Sequence, residues 1–319
     1  MYDATGKLIP EPESEFKPLL DRELVTTDVK QHLGPWCAII HDLINYGTNL
    51  IPRAFSSSEK GLLDVVLIPI LLRQVVAMLD GTDVLLTTGA VHAANLQLRA
   101  LLEASVYIDW IIQADSERKA TYYFVHNLRR KRAWALRTSK TSTEYQAFES
   151  AVGKSLPVSD ELSDASTRDL KEYDRVLSEP RFASVSAEFD QARGKRAQDP
   201  AWYVPLGTKS VFQVANEVGR ASQYLIFYSM SSDVMHASNF DSHVTFEKSK
   251  ITFEPIRSLE GWVTIFSFNT SMALHTFRSI LSRYREGELE SFSRKYVAKW
   301  QKYYMNPPQI KIKHDLTQI

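Results

Sequence analysis

The chain has 319 residues, of which 44% are hydrophobic and 24% charged, ordinary usage for a globular protein with a substantial core. Its 38 Lys and Arg residues balance 38 Asp and Glu residues, so the overall charge gives no support to a dedicated nucleic-acid binder. The single cysteine, Cys37, excludes an intramolecular disulfide and a cysteine-based zinc site. Because the sequence also starts without a secretory pattern, we expect a soluble, cytoplasmic protein.

The sequence begins with a proline-containing stretch and then becomes helical. Residues 1–30 carry prolines among charged residues and are predicted to form an extended N-terminal arm. Apolar residues recur at helical spacing over 36–51, and Pro52 is expected to end that helix. A second helix is predicted over 60–79, closed by Asp80-Gly81. Its apolar run contains charges and a proline, so we expect a buried helix and no membrane span.

The middle of the chain combines two helical segments with a polar insert. Ala, Leu and Glu dominate residues 90–113, which predict the third helix, and a fourth helix follows over 116–136. Residues 139–206 are more polar and are predicted to form a helical insert. Its helical stretches are expected near 143–153, 166–178 and 181–194.

The last third of the chain changes from helical to alternating periodicity and back. Alternation of apolar residues predicts a small β-hairpin. The predicted elements are a helix over 209–236 broken near Gly219, a hairpin near 243–254, helices over 259–285 and 289–304, and a tail over 306–319. We therefore expect an all-α multi-helix bundle with one small β-hairpin insertion, formed by a single helical domain over 31–305.

Four polar side chains share one stripe of the otherwise apolar third helix. At about 100° per residue, His92, Arg99 and Glu103 fall within roughly 40° of one another, and Asn95 lies about 40° further round. Because the other faces are apolar, the helix should be buried, and the stripe must find partners or line a cavity. An ordinary i,i+4 ion pair between Arg99 and Glu103 is the simpler explanation for two of the four residues.

A second stripe lies on the helix that precedes the hairpin. Tyr228, Ser232 and His236 follow one another at intervals of four residues and share a face, and Arg220 and Tyr224 continue the same spacing upstream. His236, at the end of this helix, is suited to proton transfer, with Ser232 or Tyr228 orienting the ring or a substrate. A histidine that caps its own helix explains the same position.

These residues carry a resemblance to a known family. The Arg99-xxx-Glu103 helix, followed much later by Tyr228-xxx-Ser232-xxx-His236, resembles the domain-of-unknown-function family 5677, an uncharacterised and mostly prokaryotic helical family. The resemblance extends roughly over residues 35–285. It implies a helical fold with a long polar insert between the two motif helices.

The same helix end is similar to helical nuclease domains of the HEPN type, which cleave RNA without a metal through an Arg-x(4–6)-His motif. In those domains the arginine supports the phosphate and the histidine transfers a proton. The matching positions for the arginine hold Ser229, Met230 and Ser231 here. This is a departure from the HEPN pattern; since a guanidinium suits phosphate geometry, Arg99 of the third helix is the residue that we expect to substitute across the bundle. The resemblance also implies a possible homodimer, because such domains often pair with two histidines in one groove.

Two further patterns have simpler explanations. The basic cluster at 127–132, with Arg137 and the interleaved Trp134, resembles single-stranded nucleic-acid sites but is more often a solvated helix face. His236 and His243, with Asp241 between them, match no established zinc spacing. No metal and no cofactor is therefore predicted.

The sequence thus predicts one candidate site and two alternative functions. The candidate catalytic residues are His236, Arg99 and Glu103, and the candidate substrate-binding residues are His92, Asn95, Tyr228 and Ser232. In the first alternative the protein acts on RNA or a nucleotide as a toxin or phage-defence effector; Arg99 holds a phosphate, Glu103 orients Arg99, and His236 is the general acid or base. In the second, the protein is a non-catalytic helical scaffold or partner-binding protein, and the same residues form a buried structural network.

Overall fold

A computed structural model describes residues 13–152, 157–236, 238, 240, 243–247 and 250–311. Within these ranges the chain is mainly helical and carries one two-stranded antiparallel hairpin, as the sequence predicts. The chain divides into two compact units. The first is formed by Met1–Lys60, Leu67–Ile112 and Val214–Ile319, and the second by Gly61–Val66 and Gln113–Gln213. The insert predicted over 139–206 lies inside the second unit, which starts earlier in the chain.

The elements follow one another in the order expected from the periodicity. The α-helices are α1 (Arg22–Asp28), α2 (Gly34–Ser56), α3 (Leu62–Val65), α4 (Arg73–Thr87), α5 (Val91–Gln113), α6 (Ser116–Thr138), α7 (Thr143–Val152), α8 (Asp160–Leu177), α9 (Pro180–Arg193), α10 (Val211–Glu217), α11 (Ala221–His236), α12 (Trp262–Tyr284), α13 (Leu289–Lys295) and α14 (Gln301–Met305). The strands are β1 (Val244–Glu247) and β2 (Lys250–Phe253). Short π-helical segments lie at Val29–Leu33, Val66–Leu72 and Tyr296–Trp300, and a 3₁₀ turn at Glu286–Glu288.

The first unit is built on the packing of α2 with α4 and α12. Gly47 of α2 allows this close approach, because a Cβ at that position would lie 2.7 Å from Phe277 Cζ and from Val76 Cγ2. Leu43 and Leu50, one turn to either side, have no exposed surface. In the hairpin, Val244 pairs with Phe253 in antiparallel register.

The second unit is organised around α6, which packs with α7, α8 and α9. Tyr122 of α6 and Phe182 and Phe189 of α9 are almost fully buried. The side chain of Arg129, 10% exposed, bonds Asp190 and Asp199 at 2.7 Å each. The amphipathic period of α6 thus places one face in a core and leaves the opposite face to solvent.

Two predicted segment ends differ from the structure near the N-terminus. Within the arm predicted over 1–30, residues Arg22–Asp28 are helical, because the side chain of Asp21 accepts a hydrogen bond from the Leu24 N–H and caps the first turn. Pro52 was expected to end a helix, yet α2 continues to Ser56. Burial of Ala54 and an ion pair between Arg53 and Glu288 hold this last turn, which compensates for the hydrogen bond that proline removes.

The prediction that Asp80-Gly81 ends the second helix is wrong. The helix continues to Thr87 because Thr82, Asp83 and Leu86 are buried on its inner face. Gly81 lies against α5, where a Cβ would be 3.4 Å from Gln97 Oε1. The chain turns instead at Gly89, whose φ of +69° is the left-handed conformation typical of a glycine after a helix.

One continuous helical stretch is apolar enough to be compared with a membrane span. Among the described residues, Leu62–Thr87 alone has the length and hydropathy for crossing a membrane, with a mean hydropathy of 2.2 in its most apolar window. In that window 56% of the residues are buried. Leu67, Ile68 and Leu79 have no exposed surface, which favours the buried core helix predicted from the sequence.

Gly47→Ala is expected to lower the free energy of unfolding. Alanine adds up to about 1 kcal/mol of helix propensity, but its Cβ, 2.7 Å from Phe277 and Val76, forces a packed core to move, which costs about 1–3 kcal/mol. Urea denaturation measures the difference. Gly34→Ala is the matched control, since nothing lies within 4 Å of its Cβ position at the start of α2. A Gly47→Ala protein as stable as the wild type would contradict the packing described.

Candidate functional site

Hydrogen bonds connect α5 and α11 in antiparallel order. The paired positions are Asp109 with Arg220, Arg99 with Tyr228, and the carbonyl oxygen of Asn95 with Ser231. As the residue number rises on α11, it falls on α5. The two polar stripes predicted from the sequence therefore face each other along part of their length.

Arg99 is the centre of the contacts between the two stripes. Its Nε donates to Glu103 Oε1 at 3.1 Å, and its Nη2 donates to the Tyr228 hydroxyl at 2.6 Å. The guanidinium carbon lies 4.0 Å from the centre of the Tyr228 ring, which is a cation–π contact. Nη1 is 3.6 Å from Met235 Sδ. With 19% of its side chain exposed, Arg99 is fixed in position and retains N–H groups for a further acceptor.

Tyr224 extends this arrangement by one helical turn. Its ring stacks on that of Tyr228, with ring centres 4.5 Å apart and planes inclined by 19°. Burial raises the pKa of Tyr224, and the neighbouring Tyr228 and Glu103 raise it further. The Tyr224 hydroxyl is therefore protonated at neutral pH and cannot serve as a base.

Asn95 contributes an acceptor without a described partner. Its Nδ2 donates to the carbonyl oxygens of Val91 and His92 in its own helix. Among the described residues, Asn95 Oδ1 is buried and accepts no hydrogen bond. A buried carbonyl oxygen without a partner is costly, so this atom is a local departure from full hydrogen bonding.

Two histidines meet at the N-terminal end of α5. The rings of His92 and His243 are 4.9 Å apart and approach edge to face. Burial lowers the pKa of His92, and the charge of His243 lowers it further. His92 is therefore unprotonated at neutral pH, when an imidazole can accept a proton.

His236 ends α11 and is exposed to solvent. Ser232 is half-buried, and among the described residues no hydrogen bond involves either side chain. The bond across to α5 comes from Ser231, which is fully buried and donates to the Asn95 carbonyl oxygen at 2.7 Å. The structure thus brings Arg99, Glu103 and Tyr228 together. A shared site for Arg99 and His236 stays a prediction; the α11 residue that Arg99 contacts nearest to His236 in sequence is Met235, immediately before it.

A carboxylate that the sequence analysis did not select, Asp109, organises the other end of the α5–α11 pair. Its Oδ2 accepts hydrogen bonds from Arg220 Nη1 at 2.7 Å and from His275 Nε2 at 2.8 Å, and its Oδ1 accepts from Ser279 at 2.8 Å. Burial acts to raise the pKa of Asp109, but the hydrogen bond and charge of His275 and the charge of Arg220 outweigh it, so this pKa is lowered. A single carboxylate in the apolar stretch 104–112 is the sequence signal for such a residue.

Arg220 is the buried cation of this network. Its side chain is 6% exposed, and it also donates to Ser105 and Gln223 at 2.7 Å each. Within the described part of the chain, its Nη2 has no hydrogen-bond partner. Burial lowers the pKa of this arginine, while the charge of Asp109 opposes that shift.

No metal site is found among the described residues, where no group of three or more His, Cys, Asp and Glu side chains is placed to hold an ion. Asp241 of the pattern with His236 and His243 lies outside those residues. Cys37 is buried, and burial together with the charge of Asp83 raises the pKa of its thiol to about 11. Its thiolate is therefore unavailable at neutral pH.

Comparison with protein families gives one match. The model of a family of unknown function, DUF5677, matches residues 64–251, more than half of the chain. This region contains both α5 and α11, and with them every candidate site residue. Searches of curated proteins and of solved structures gave no match.

Asp109→Asn is expected to destabilise the protein by about 3–5 kcal/mol at pH 7, because it leaves the buried charge of Arg220 without its partner. The pKa of Asp109 is lowered by folding, so its contribution is present above the unfolded pKa of about 3.9 and is lost as the pH falls through the folded value. Urea denaturation at pH 7 and at lower pH measures the gap between wild type and variant.

The gap in unfolding free energy should shrink as the solution is acidified below about pH 4. Asp160→Asn is the control, since this carboxylate is exposed and, among the described residues, forms an ion pair with Lys140 alone. Its removal should leave the urea midpoint nearly unchanged. A gap that is absent at pH 7, or one that is constant with pH, would show that the buried pair is not a stability determinant.

Proposed function

The chain belongs to DUF5677, a family of unknown function, and we propose that it is a cytoplasmic, metal-independent enzyme acting on RNA or a nucleotide. Its proposed site lies between α5 and α11. The biological role that fits this chemistry is that of a toxin or a phage-defence effector. The HEPN-like resemblance of the Ser232-xxx-His236 helix end supports the proposal.

The observation that carries the proposal is the position of the Arg99 guanidinium. It is oriented by Glu103 and Tyr228 and contacts Met235, the residue immediately before His236. A planar guanidinium matches the geometry of a phosphate, and an exposed imidazole exchanges protons readily with water. In this proposal, His236 is the proton-transfer group that acts beside this phosphate-binding group at the end of α11.

On an RNA substrate each proposed residue has a separate role. His236 accepts the proton of a ribose 2′-hydroxyl, whose oxygen attacks the adjacent phosphorus. The bond from phosphorus to the 5′-oxygen breaks, and that oxygen takes a proton from solvent, which leaves a 2′,3′-cyclic phosphate and a free 5′-hydroxyl. Arg99 stabilises the negative charge that grows on the phosphoryl oxygens. Glu103 orients Arg99, and Asn95 is the neighbouring substrate-binding residue on α5.

Three further side chains complete the proposed substrate site. His92, Tyr228 and Ser232 border the nucleotide, and the neutral ring of His92 adds a second proton acceptor. Pairing of two copies of the chain, as in HEPN-type domains, would bring two His236 side chains to one substrate. Sedimentation of the purified protein measures whether such a homodimer forms.

A non-catalytic scaffold is the second candidate function, and two observations favour it. Nε and Nη2 of Arg99 are already bonded within the protein, as in a structural network. On α11, Leu225 and Ile226 are 57% and 51% exposed, which suits contact with a partner protein. The two candidates differ in what removal of His236 does.

His236→Ala is expected to slow RNA cleavage by roughly 100-fold or more, the usual contribution of a general acid or base. The melting temperature should stay close to that of the wild type, because His236 is exposed. The assay uses purified protein, labelled single-stranded RNA and a chelator that removes divalent metals. His32→Ala, at another exposed histidine, is the matched control and should cleave like the wild type.

Arg99→Lys completes the test of the same site. Lysine keeps the charge but loses the planar fork, so cleavage should fall by about tenfold or more. A wild-type protein that cleaves no RNA, combined with a clear loss of melting temperature in Arg99→Lys and Tyr228→Phe, would refute the enzyme and favour the scaffold. Equal cleavage by wild type and His236→Ala would remove His236 from the mechanism.

A further inference from the structure

An open groove runs along α6 in the second unit. Its volume is about 1520 Å³, and its walls come from α6, α8, α9 and residues 197–201. Pockets for small ligands usually measure about 300–1,000 Å³. The size of this groove therefore suits a polymer better than a single small molecule.

One stripe of α6 faces the groove with two cations and an aromatic ring. Arg130, Trp134 and Arg137 line the groove and fall within about 60° of one another around the helix. Along the helix axis, Trp134 lies about 6 Å from Arg130 and about 4.5 Å from Arg137. A cation, an aromatic face and a second cation are thus presented in sequence along one wall.

The arginines of α6 fall into two groups. Arg129 is neutralised by Asp190 and Asp199, and Arg132 pairs with Asp174. By contrast, Arg130, Lys131 and Arg137 are exposed. In the part of the chain that the structure describes, none of these three forms an ion pair. Glu144 and Asp169 also line the groove, so its lining carries six Lys and Arg residues against five Asp and Glu residues, a small positive excess.

The aromatic component is also accessible. Trp134 is 56% exposed, and the centres of its ring and that of Phe148 lie 5.9 Å apart with planes inclined by 73°. His126, one turn before Arg130, adds no charge, because burial and then the charge of Arg130 lower its pKa to about 4. The electrostatic attraction comes from the arginines and the lysine, and the stacking surface comes from the tryptophan.

We propose that this α6 groove binds a single-stranded polynucleotide, with phosphates against Arg130 and Arg137 and a base stacked on Trp134. Single-stranded nucleic acids are held by this combination of a cationic groove and exposed aromatic rings. The inference rests on the proposed function for RNA as the natural ligand. It deepens that function, because it makes the substrate a chain of nucleotides and not a mononucleotide.

Binding is tested by fluorescence anisotropy with the full-length wild-type protein. The probes are fluorescein-labelled oligothymidine and 2′-fluoro-oligouridine of twelve nucleotides; neither has a 2′-hydroxyl, so neither can be cleaved by the proposed reaction. The two probes distinguish a DNA ligand from an RNA ligand, and unlabelled UMP is the competitor for a mononucleotide site. We expect binding at about 50 mM salt that weakens steeply towards about 200 mM.

Two variants test the stripe. Arg130→Gln/Arg137→Gln should weaken binding at least tenfold and reduce the slope of log affinity against log salt by about 0.7 for each cation removed. Trp134→Ala should weaken binding roughly tenfold through lost stacking, and Trp134→Phe should restore most of it. The matched control is Arg168→Gln/Lys171→Gln, which removes the same charge from exposed positions of α8 outside the groove and should bind like the wild type.

Three outcomes would overturn the inference. The first is no binding up to about 100 μM protein. The second is a loss of affinity in the α8 control as large as in Arg130→Gln/Arg137→Gln. The third is binding of polyglutamate as tight as that of the oligonucleotides and unchanged by Trp134→Ala. The last result would assign the groove to an acidic protein partner. A failure of the proposed enzymatic function gives a different result. If the wild-type protein binds the oligonucleotides but cleaves no RNA, the proposed binding groove stands and the proposed catalytic site is refuted.

Discussion

The buried ion pair between Asp109 and Arg220 fixes how α11 lies against α5. Removing two charges from water is costly, and the cost is met only when both are paired and their remaining groups are hydrogen-bonded. Asp109 meets this condition through His275 and Ser279 of α12, whereas Arg220 also donates to Ser105 of α5 but keeps Nη2 without a partner among the described residues. One ionic contact therefore ties three long helices of the first unit into a single register.

The candidate site follows from that register. Two turns along α11 from Arg220, Tyr228 reaches Arg99 of α5. Tyrosine stacking, the Glu103 carboxylate and the Met235 sulfur then hold the guanidinium in one orientation. A fixed guanidinium loses less entropy on binding a phosphate than a mobile one, so the same contacts that stabilise the helix pair also preorganise a binding group.

Ionisation in this region is controlled mainly by burial. Tyr224 is kept protonated and His92 unprotonated, since for each of them burial is the largest cause of the pKa shift. His236 lies in water at the end of α11. The first unit thus holds the Arg99–Glu103 ion pair near the neutral Tyr224 and His92 and leaves His236 in contact with solvent, an arrangement compatible with proton transfer in the proposed reaction.

The second unit uses two neighbouring arginines of α6 in opposite ways. On α6, Arg129 is enclosed by Asp190 and Asp199, whereas the adjacent Arg130 is exposed in the groove. Consecutive residues of a helix point about 100° apart, so Arg129 faces the protein and Arg130 faces the groove. Whole-chain charge, which is zero by formal count, hides this separation.

The sequence by itself determined the helical fold, the hairpin, the break near Gly219 and the two polar stripes, because periodicity and turn residues act over a few positions. The Arg99–Glu103 ion pair was also predictable from the sequence, since a contact between residues i and i+4 requires only that the segment is helical. Tertiary structure decided that Ser231 and not Ser232 bonds across to α5, that Gly89 and not Gly81 ends a helix, and that Asp109 joins Arg220 to His275. Contacts between distant residues depend on which helix faces pack together in the folded chain. An example is the hydrogen bond between Arg99 and Tyr228, which are 129 positions apart. No local pattern encodes that packing.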